Sequence, residues 1–367
     1  MSQNPYSQYP ERSFWRKTVS HVPWTKVFEH EKGKFSLKPG DKIATAGSCF
    51  AQRIPGVLRE SGFNFAEFEA PHPLMSAQRA AEYGYGQFSA RYGNIYTPRQ
   101  LRQLIDQAFG VIAPVFDFAP SFNGGLIDLL RPNINKHGFS SELEARLDRE
   151  YHLGRVKELF ATSDVFIFTL GLTESWMGET SGTVYGSHPH VVSNAALREN
   201  IIPVNFDYTD SFNDMVYIIN FLHEINPALK YIFTVSPVAL IATHQNNNVL
   251  LSTMYSKSVL RAVAGKLAEA WPAADYFFSY EIFNAAQSFG QFLADDLRDV
   301  NQRGVAFTMQ CFKQMYLTEA PLPAAETAAA AAPAESSASL MGRDQAAAEV
   351  ECDERLNELF SRPGTGT

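Results

Sequence analysis

The sequence predicts an α/β protein built on a mostly parallel sheet, and three observations lead there. Four short apolar runs recur: 42–46 (KIATA), 164–170 (DVFIFTL), 230–235 (KYIFTV) and 275–279 (DYFFS). Each is rich in β-branched or aromatic residues, as strands buried on both faces are. Helical patterns lie between these runs. Strands alternating with helices make βαβ units, and right-handed crossovers then gather the strand ends on one rim.

Residues 1–40 read as an irregular arm, whose Phe14, Trp15, Trp24 and Phe28 equip it to pack on a body spanning 41–318. The first strand leads into a helical stretch at 49–61, with Pro55 a local irregularity. A helix at 98–109 opens on Pro98, which suits a first-turn position. The stretch 141–161 starts with a serine cap and an acidic first turn. Helices are also predicted over 210–225 and 253–270. Beyond residue 318 the composition turns Ala/Pro/Ser-rich, so 319–342 reads as a linker. Residues 343–367 hold a short amphipathic helix and tail. That helix is either a contact for a protein partner or a tolerated extension.

The chain has 367 residues, 45% hydrophobic and 19% charged, a soluble globular profile with room for a large core. A net charge of -8 and a pI near 5.6 argue against a broad nucleic-acid face. Cys49, Cys311 and Cys352 are too scattered for a disulfide framework or a zinc cluster. The N-terminus lacks an apolar signal region, and no apolar run approaches the ~20 residues of a membrane span. The expectation is therefore a cytoplasmic protein with a reduced Cys49 and no membrane span. No Gly-x-Gly-x-x-Gly follows a strand and there is no P-loop, so no nucleotide signature is present.

In open α/β sheets ligands sit at the carboxyl ends of the strands. Polar residues follow every predicted strand here. Gly47-Ser48-Cys49 follows the first, Gly171-Leu172-Thr173-Glu174 the second, Ser236 the third, and Tyr280-Glu281 the fourth. A nucleophile at a strand-to-helix turn is exposed by the tight turn. Backbone N–H donors at the helix start can lower a thiol pKa and hold an oxyanion. Gly47 permits the turn and the approach of substrate. Without a function, Cys49 would be a buried filler and Ser48 a helix cap.

The stretch GSCFA at 47–51 resembles the signature of the GSCFA family. Further blocks are similar to that family: 90–101 (ARYGNIYTPRQL), 168–176 (FTLGLTESW), 233–243 (FTVSPVALIAT), 255–265 (YSKSVLRAVAG) and 275–282 (DYFFSYEI). The resemblance covers roughly 40–315. The family is grouped with SGNH-type hydrolases and acyltransferases. That implies a flavodoxin-like three-layer α/β/α sandwich and carbonyl-ester chemistry. Laid on the SGNH Gly-Asp-Ser block, the nucleophile position falls on Cys49 and the Asp position on Ser48. Cys49 would attack while Ser48 caps or orients, with the reverse assignment open. Gly93 matches the oxyanion glycine, with Asn94 a side-chain donor. In the third block Thr173 replaces the usual Asn and can donate through its hydroxyl. Glu174 follows as a carboxylate that orients a base or a sugar hydroxyl.

The last SGNH block, Asp-x-x-His, is not intact. The corresponding 293–305 has Asp295, Asp296 and Asp299 but no histidine. His190 and His244 are the candidate bases, ahead of His188; His152, mid-helix, reads as structural. His188-x-His190 lacks a third ligand, so no metal is expected. Lys257 and Arg261, four apart on one helix face, are candidates to hold a phosphate or carboxylate, or simply a solvated basic face. Arg298 is another anion-binding candidate, and Glu281 either points into the site or pairs with one of these cations.

Two functions follow. One is an SGNH-like esterase, hydrolase or O-acyltransferase acting on a bacterial polysaccharide, glycan precursor or small-molecule acyl acceptor. It needs no bound cofactor and takes acetyl-CoA or another acyl donor. The other is a decayed enzyme fold serving as a glycan- or protein-binding module.

Overall fold

The computed structural model describes residues 4–122 and 124–317. The linker expected at 319–342 and the helix expected within 343–367 lie outside the described residues. The chain begins with short helical turns, among them α1 (Trp15–Thr18). It enters β1 (Ile43–Gly47), passes a 3-10 turn (Cys49–Arg53) into α2 (Ile54–Glu60), then α3 (Ala77–Glu82) and α4 (Pro98–Ala108). A hairpin of β2 (Phe118–Pro120) and β3 (Leu126–Asp128) precedes α5 (Glu142–Thr162). Next come β4 (Val165–Leu170), β5 (Glu174–Gly178), β6 (Val184–Tyr185), β7 (Ile201–Asn205) and α6 (Tyr208–Ile225). The chain continues through β8 (Lys230–Val235), α7 (Val249–Ala270), β9 (Ala274–Phe277), α8 (Ser279–Asn284) and α9 (Gln302–Tyr316).

The central sheet runs β1-β4-β8-β9, all parallel. Gly47 lies opposite Thr169, Thr169 opposite Thr234, and Thr234 opposite Phe277. That register brings the four carboxyl ends to one level. Outside β1, Phe65 forms a single parallel bridge with Ile43. The Ile43 N–H donates to Asn64 O (3.1 Å) and the Ala66 N–H to Ile43 O (2.9 Å). The second extended segment therefore flanks the first on the side away from β4, the winding of a flavodoxin-like sheet.

Alternate side chains along each strand feed two cores. Ala44, Phe166, Phe168 and Phe233 pack with Leu101, Leu153, Ile218 and Leu260 from α4, α5, α6 and α7. Ile43, Val165, Ile167 and Ile232 pack with Leu58, Ile282 and Phe312 from α2, α8 and α9. Helices thus cover both faces, and the architecture is a three-layer α/β/α sandwich.

Local chemistry explains the helix starts. Thr97 caps α4 in a reciprocal pair with Gln100, Pro98 occupies the first turn, and Ser141 caps α5 through the Glu144 N–H. The helix expected from residue 49 opens as a 3-10 turn. Its α-helical part starts only at Ile54, with Pro55 in the first turn, where a missing N–H costs nothing.

The separate antiparallel sheet β6-β5-β7 was not visible in the sequence. Its strands are short, and β7 carries Pro203, tolerated because β7 is an edge strand paired only with β5. In the arm, Trp24 donates its indole N–H to Ile282 O (3.2 Å) and Phe28 stacks on Phe278 (4.5 Å between centroids). Trp15 stays 62% exposed, so the packing begins with the later aromatics.

Candidate active site

The site is assembled from the loops that leave the sheet at its carboxyl rim. Gly47 ends β1 at φ +136°, a conformation open to glycine. It also lies flat against Thr169, where a Cβ would stand 2.4 Å from the carbonyl oxygen. The chain must therefore turn at this point, and the Ser48 N–H donates to Thr169 O (3.2 Å). Ser48 has the extended backbone of an N-cap, yet its side chain caps nothing. Its Oγ is buried and has no hydrogen-bond partner among the described residues. Cys49 points elsewhere: it is 4% exposed and packs with Val238 and Val300.

The loop after β4 faces Ser48. A Cβ on Gly171 would stand 2.9 Å from the Ser48 Cβ. Tyr96 O holds this loop by accepting from the N–H groups of Gly171 (2.9 Å) and Leu172 (3.0 Å). Ser256 Oγ accepts from the Thr173 N–H (2.9 Å). Thr173 Oγ1 is buried and, like Ser48 Oγ, has no partner among the described residues. Lys257, fully buried on α7, donates its Nζ to Gly171 O (2.6 Å). A buried lysine thus holds the same residue, Gly171, that meets Ser48.

Gly93 takes φ +67° and opens the strand-like stretch 93–96 across the rim. There Asn94 accepts from Gln52 Nε2 (3.1 Å), and the Ile95 N–H donates to Gly47 O (2.9 Å). This stretch ties the Gly47-Ser48 turn to the Gly171 loop.

Glu174 and His244 are brought together. Glu174 accepts from Thr243 Oγ1 (2.7 Å) and from the His244 N–H (3.1 Å), and His244 Nε2 lies 3.5 Å from its carboxylate. The imidazole is committed to the small sheet: Nε2 meets Val204 O (3.0 Å) and Nδ1 meets Gln245 (3.1 Å). His190 is exposed and rests against His188 (5.1 Å), which packs edge-on to Trp176 (4.7 Å). Burial, with His190 adding to it, lowers the His188 pKa. Among the described residues no histidine ring is bonded to Ser48 or Cys49, and no cluster of acidic, His and Cys side chains suits a metal ion.

The structure separates Lys257 from Arg261. Arg261 pairs with Glu281 (2.5 Å) and lies over the Tyr276 ring (3.9 Å). Glu281 also accepts from Tyr276 OH (2.8 Å), so its role is the ion pair. Arg298 bonds Asp299 (2.9 Å) within a loop closed by a Leu293–Val300 bridge. That loop is the segment expected to carry the last SGNH block. It does reach the Ser48-Cys49 turn, but through Val300 against Cys49, an apolar contact.

Ser256 and Tyr96 were missed by sequence reasoning. Ser256 sits in the YSKSVLR block beside Lys257, so its position was visible but its direction was not. Tyr96 acts through its backbone carbonyl, which leaves no mark on the sequence.

A flavodoxin-like α/β/α sandwich with the Gly47-Ser48-Cys49 turn at its carboxyl rim defines the class. Within that class the chain belongs to the GSCFA family, whose model matches residues 42–312. No curated protein and no solved structure matches it. No helix among the described residues is long and apolar enough to cross a membrane.

Proposed function

We propose that this protein is an SGNH-like acyl-transfer enzyme, an esterase or O-acyltransferase, with Ser48 as the attacking group. The unpartnered, buried Ser48 hydroxyl facing the Gly171–Thr173 loop carries the reading. Leaving such a hydroxyl without a partner costs on the order of 1–3 kcal/mol, and a reacting group is one reason to tolerate it. Cys49 is the weaker nucleophile candidate because Val238 and Val300 enclose it.

In this mechanism Ser48 Oγ bonds to the acyl carbonyl carbon, and the carbonyl π electrons move onto oxygen. The free Thr173 hydroxyl donates to that oxyanion, and the Lys257 charge behind Gly171 favours it. Collapse breaks the bond to the leaving group, which takes the Ser48 proton through water. A hydroxyl of a glycan or small-molecule acceptor, or water, then adds to the same carbonyl carbon, the bond to Ser48 Oγ breaks, and the acceptor's proton returns to Ser48 through water. Glu174, held by Thr243 and the His244 N–H, borders the loop as the positioning residue for the incoming hydroxyl. Acetyl-CoA or another activated acyl compound serves as donor.

The second reading is a binding module on the same fold. It is favoured by the absence, among the described residues, of any imidazole bonded to Ser48 or Cys49. The two are separated by incubating the full chain with p-nitrophenyl acetate or acetyl-CoA and mapping acetylated peptides by mass spectrometry. The enzyme reading expects acetyl-Ser48, abolished by Ser48→Ala, retained in Cys49→Ala and slowed roughly a hundredfold by Thr173→Val. No adduct with either donor leaves the binding module.

A further inference from the structure

The outer face of α5 departs from the pattern of a surface helix. Its inner face is buried through Ala145, Leu153, Val156 and Phe160. A helix with solvent on its other side carries polar residues there. On α5 that side presents Leu143, Leu147 and Tyr151, which recur every four residues and remain 55–65% exposed. The segment after α4 extends this apolar surface. Arg146 lies over the Phe116 ring (4.3 Å) and Lys157 over the Phe109 ring (5.7 Å), so 109–116 runs along one edge of α5, with Val111 and Ile112 exposed.

Gly154 continues the stripe. A Cβ at this position would meet nothing within 4 Å, so no neighbour among the described residues requires a glycine. Glycine weakens a helix interior, and the notch it leaves on the surface suits a side chain from outside. Charge is divided along the same helix. Glu142 and Glu144 lie in its first turn, Arg155 and Lys157 toward its end. Glu144 and Arg155, eleven positions or about three turns apart, share one edge of the stripe. Arg155 is held there over the Tyr151 ring (5.3 Å) and by Glu158 (2.7 Å), and Glu144 by Ser140 Oγ (2.5 Å).

Such a face complements itself. A second copy turned antiparallel about a two-fold axis beside Tyr151 sets its Gly154 against Leu147 and its Arg155 against Glu144, and symmetry makes each contact twice. A parallel pairing would set acid against acid. We propose that α5 is the interface of a homodimer, with Leu147 of each copy seated over Gly154 and Tyr151 of the other. The apolar stripe drives the association, and the Glu144–Arg155 pairs at its edge fix its direction. Val111 and Ile112 of one copy then reach the Leu143 end of the other. The dimer needs no chemistry at Ser48, so the proposal stands whether or not the acyl-transfer reading does.

The test is sedimentation equilibrium of the full chain at micromolar concentrations. Wild type is expected to show twice the chain mass of 40.9 kDa. Leu147→Glu is expected to raise the dimer dissociation constant about thirtyfold or more, the loss of one central anchor. Gly154→Gln should do the same. Its side chain has open space in the single chain, so the fold is kept while the notch is filled. Glu144→Lys and Arg155→Glu are each expected to weaken the dimer about tenfold, and the two together to restore it. Leu251→Glu, on the exposed side of α7, is the control and leaves the dimer intact. A monomeric wild type, a dimer indifferent to the α5 variants, a double charge variant no tighter than the single ones, or a dimer lost equally in Leu251→Glu overturns the proposal.

Discussion

Gly171 packs so closely on Ser48 that a Cβ in its place would stand 2.9 Å from the Ser48 Cβ and 3.1 Å from the Tyr96 ring. Both neighbours belong to well-fixed elements: Ser48 ends the first strand's turn, and Tyr96 O holds the Gly171 and Leu172 N–H groups. Gly171→Ala is therefore expected to cost about 1–3 kcal/mol by overpacking, measured by denaturant unfolding. In the folded fraction, acetylation of Ser48 should fall more steeply than stability does, because the added methyl occupies the space an acyl group needs. A variant as stable as wild type would show that the loop yields, and that Gly171 does not shape the site.

Thiol accessibility separates the two nucleophile assignments. Cys49 packs with Val238 and Val300, and burial pushes the Cys311 thiol up to about 12. Apolar packing around Cys49 and the raised Cys311 pKa both work against native labelling. Peptide-resolved iodoacetamide labelling of the native protein is expected to leave both unlabelled, with full labelling after unfolding. Fast native labelling at Cys49, with an apparent pKa well below the ~8.5 of free cysteine, would return the nucleophile role to the thiol.

The fold was legible because its signals are local and strong. VFIFTL is buried throughout and KYIFTV from Tyr231 on, and no amphipathic alternation competes with a parallel-strand reading. The polar ends of those strands located the rim, and with it Ser48, Thr173 and Glu174. Direction was not legible. Ser48 and Cys49 are neighbours in sequence, yet one meets Gly171 and the other Val238, a difference fixed by the turn geometry of Gly47. Lys257 and Arg261 share a helical face by spacing, but the Gly171 carbonyl draws one inward while Glu281 and Tyr276 hold the other near solvent. Arg149 on α5 meets Gln107 on α4 while Asp128 and Asp148 hold Arg131, a convergence no single window of sequence displays.

That divergence yields a paired prediction. Lys257 is buried, and Lys257→Met would leave the Gly171 carbonyl without its ammonium donor, at a cost of about 1–3 kcal/mol. Loss of the positive charge should also slow Ser48 acetylation. The Arg261–Glu281 pair is a third exposed, with side chains 39% and 30% accessible, so Arg261→Ala should change stability by less than about 1 kcal/mol. Acetylation should be unaffected. Equal effects from the two substitutions, by thermal unfolding and by adduct formation, would contradict the separation of their roles.

The buried Glu69–His152 pair sets an acid limit on stability. His152 Nδ1 lies 2.7 Å from Glu69 Oε2, with both side chains out of solvent. Burial pulls the His152 pKa down from 6.5 to about 4, reinforced by Arg131 and opposed by Glu69. Burial alone would raise Glu69, but His152, Arg131 and Arg91 together lower it from 4.5 to about 2. Both groups therefore take up protons more readily in the unfolded chain, so stability falls as pH falls. The His152 contribution is present above pH 6.5 and is lost between 6.5 and about 4, a change of about 3 kcal/mol. The Glu69 contribution follows between 4.5 and about 2. Urea midpoints measured from neutral pH downward should drop first through the histidine window. In His152→Gln that first decline should flatten while the lower one remains. A wild-type midpoint that holds steady down to pH 4 would mean that His152 is protonated in the folded state and that Glu69 pairs with an imidazolium.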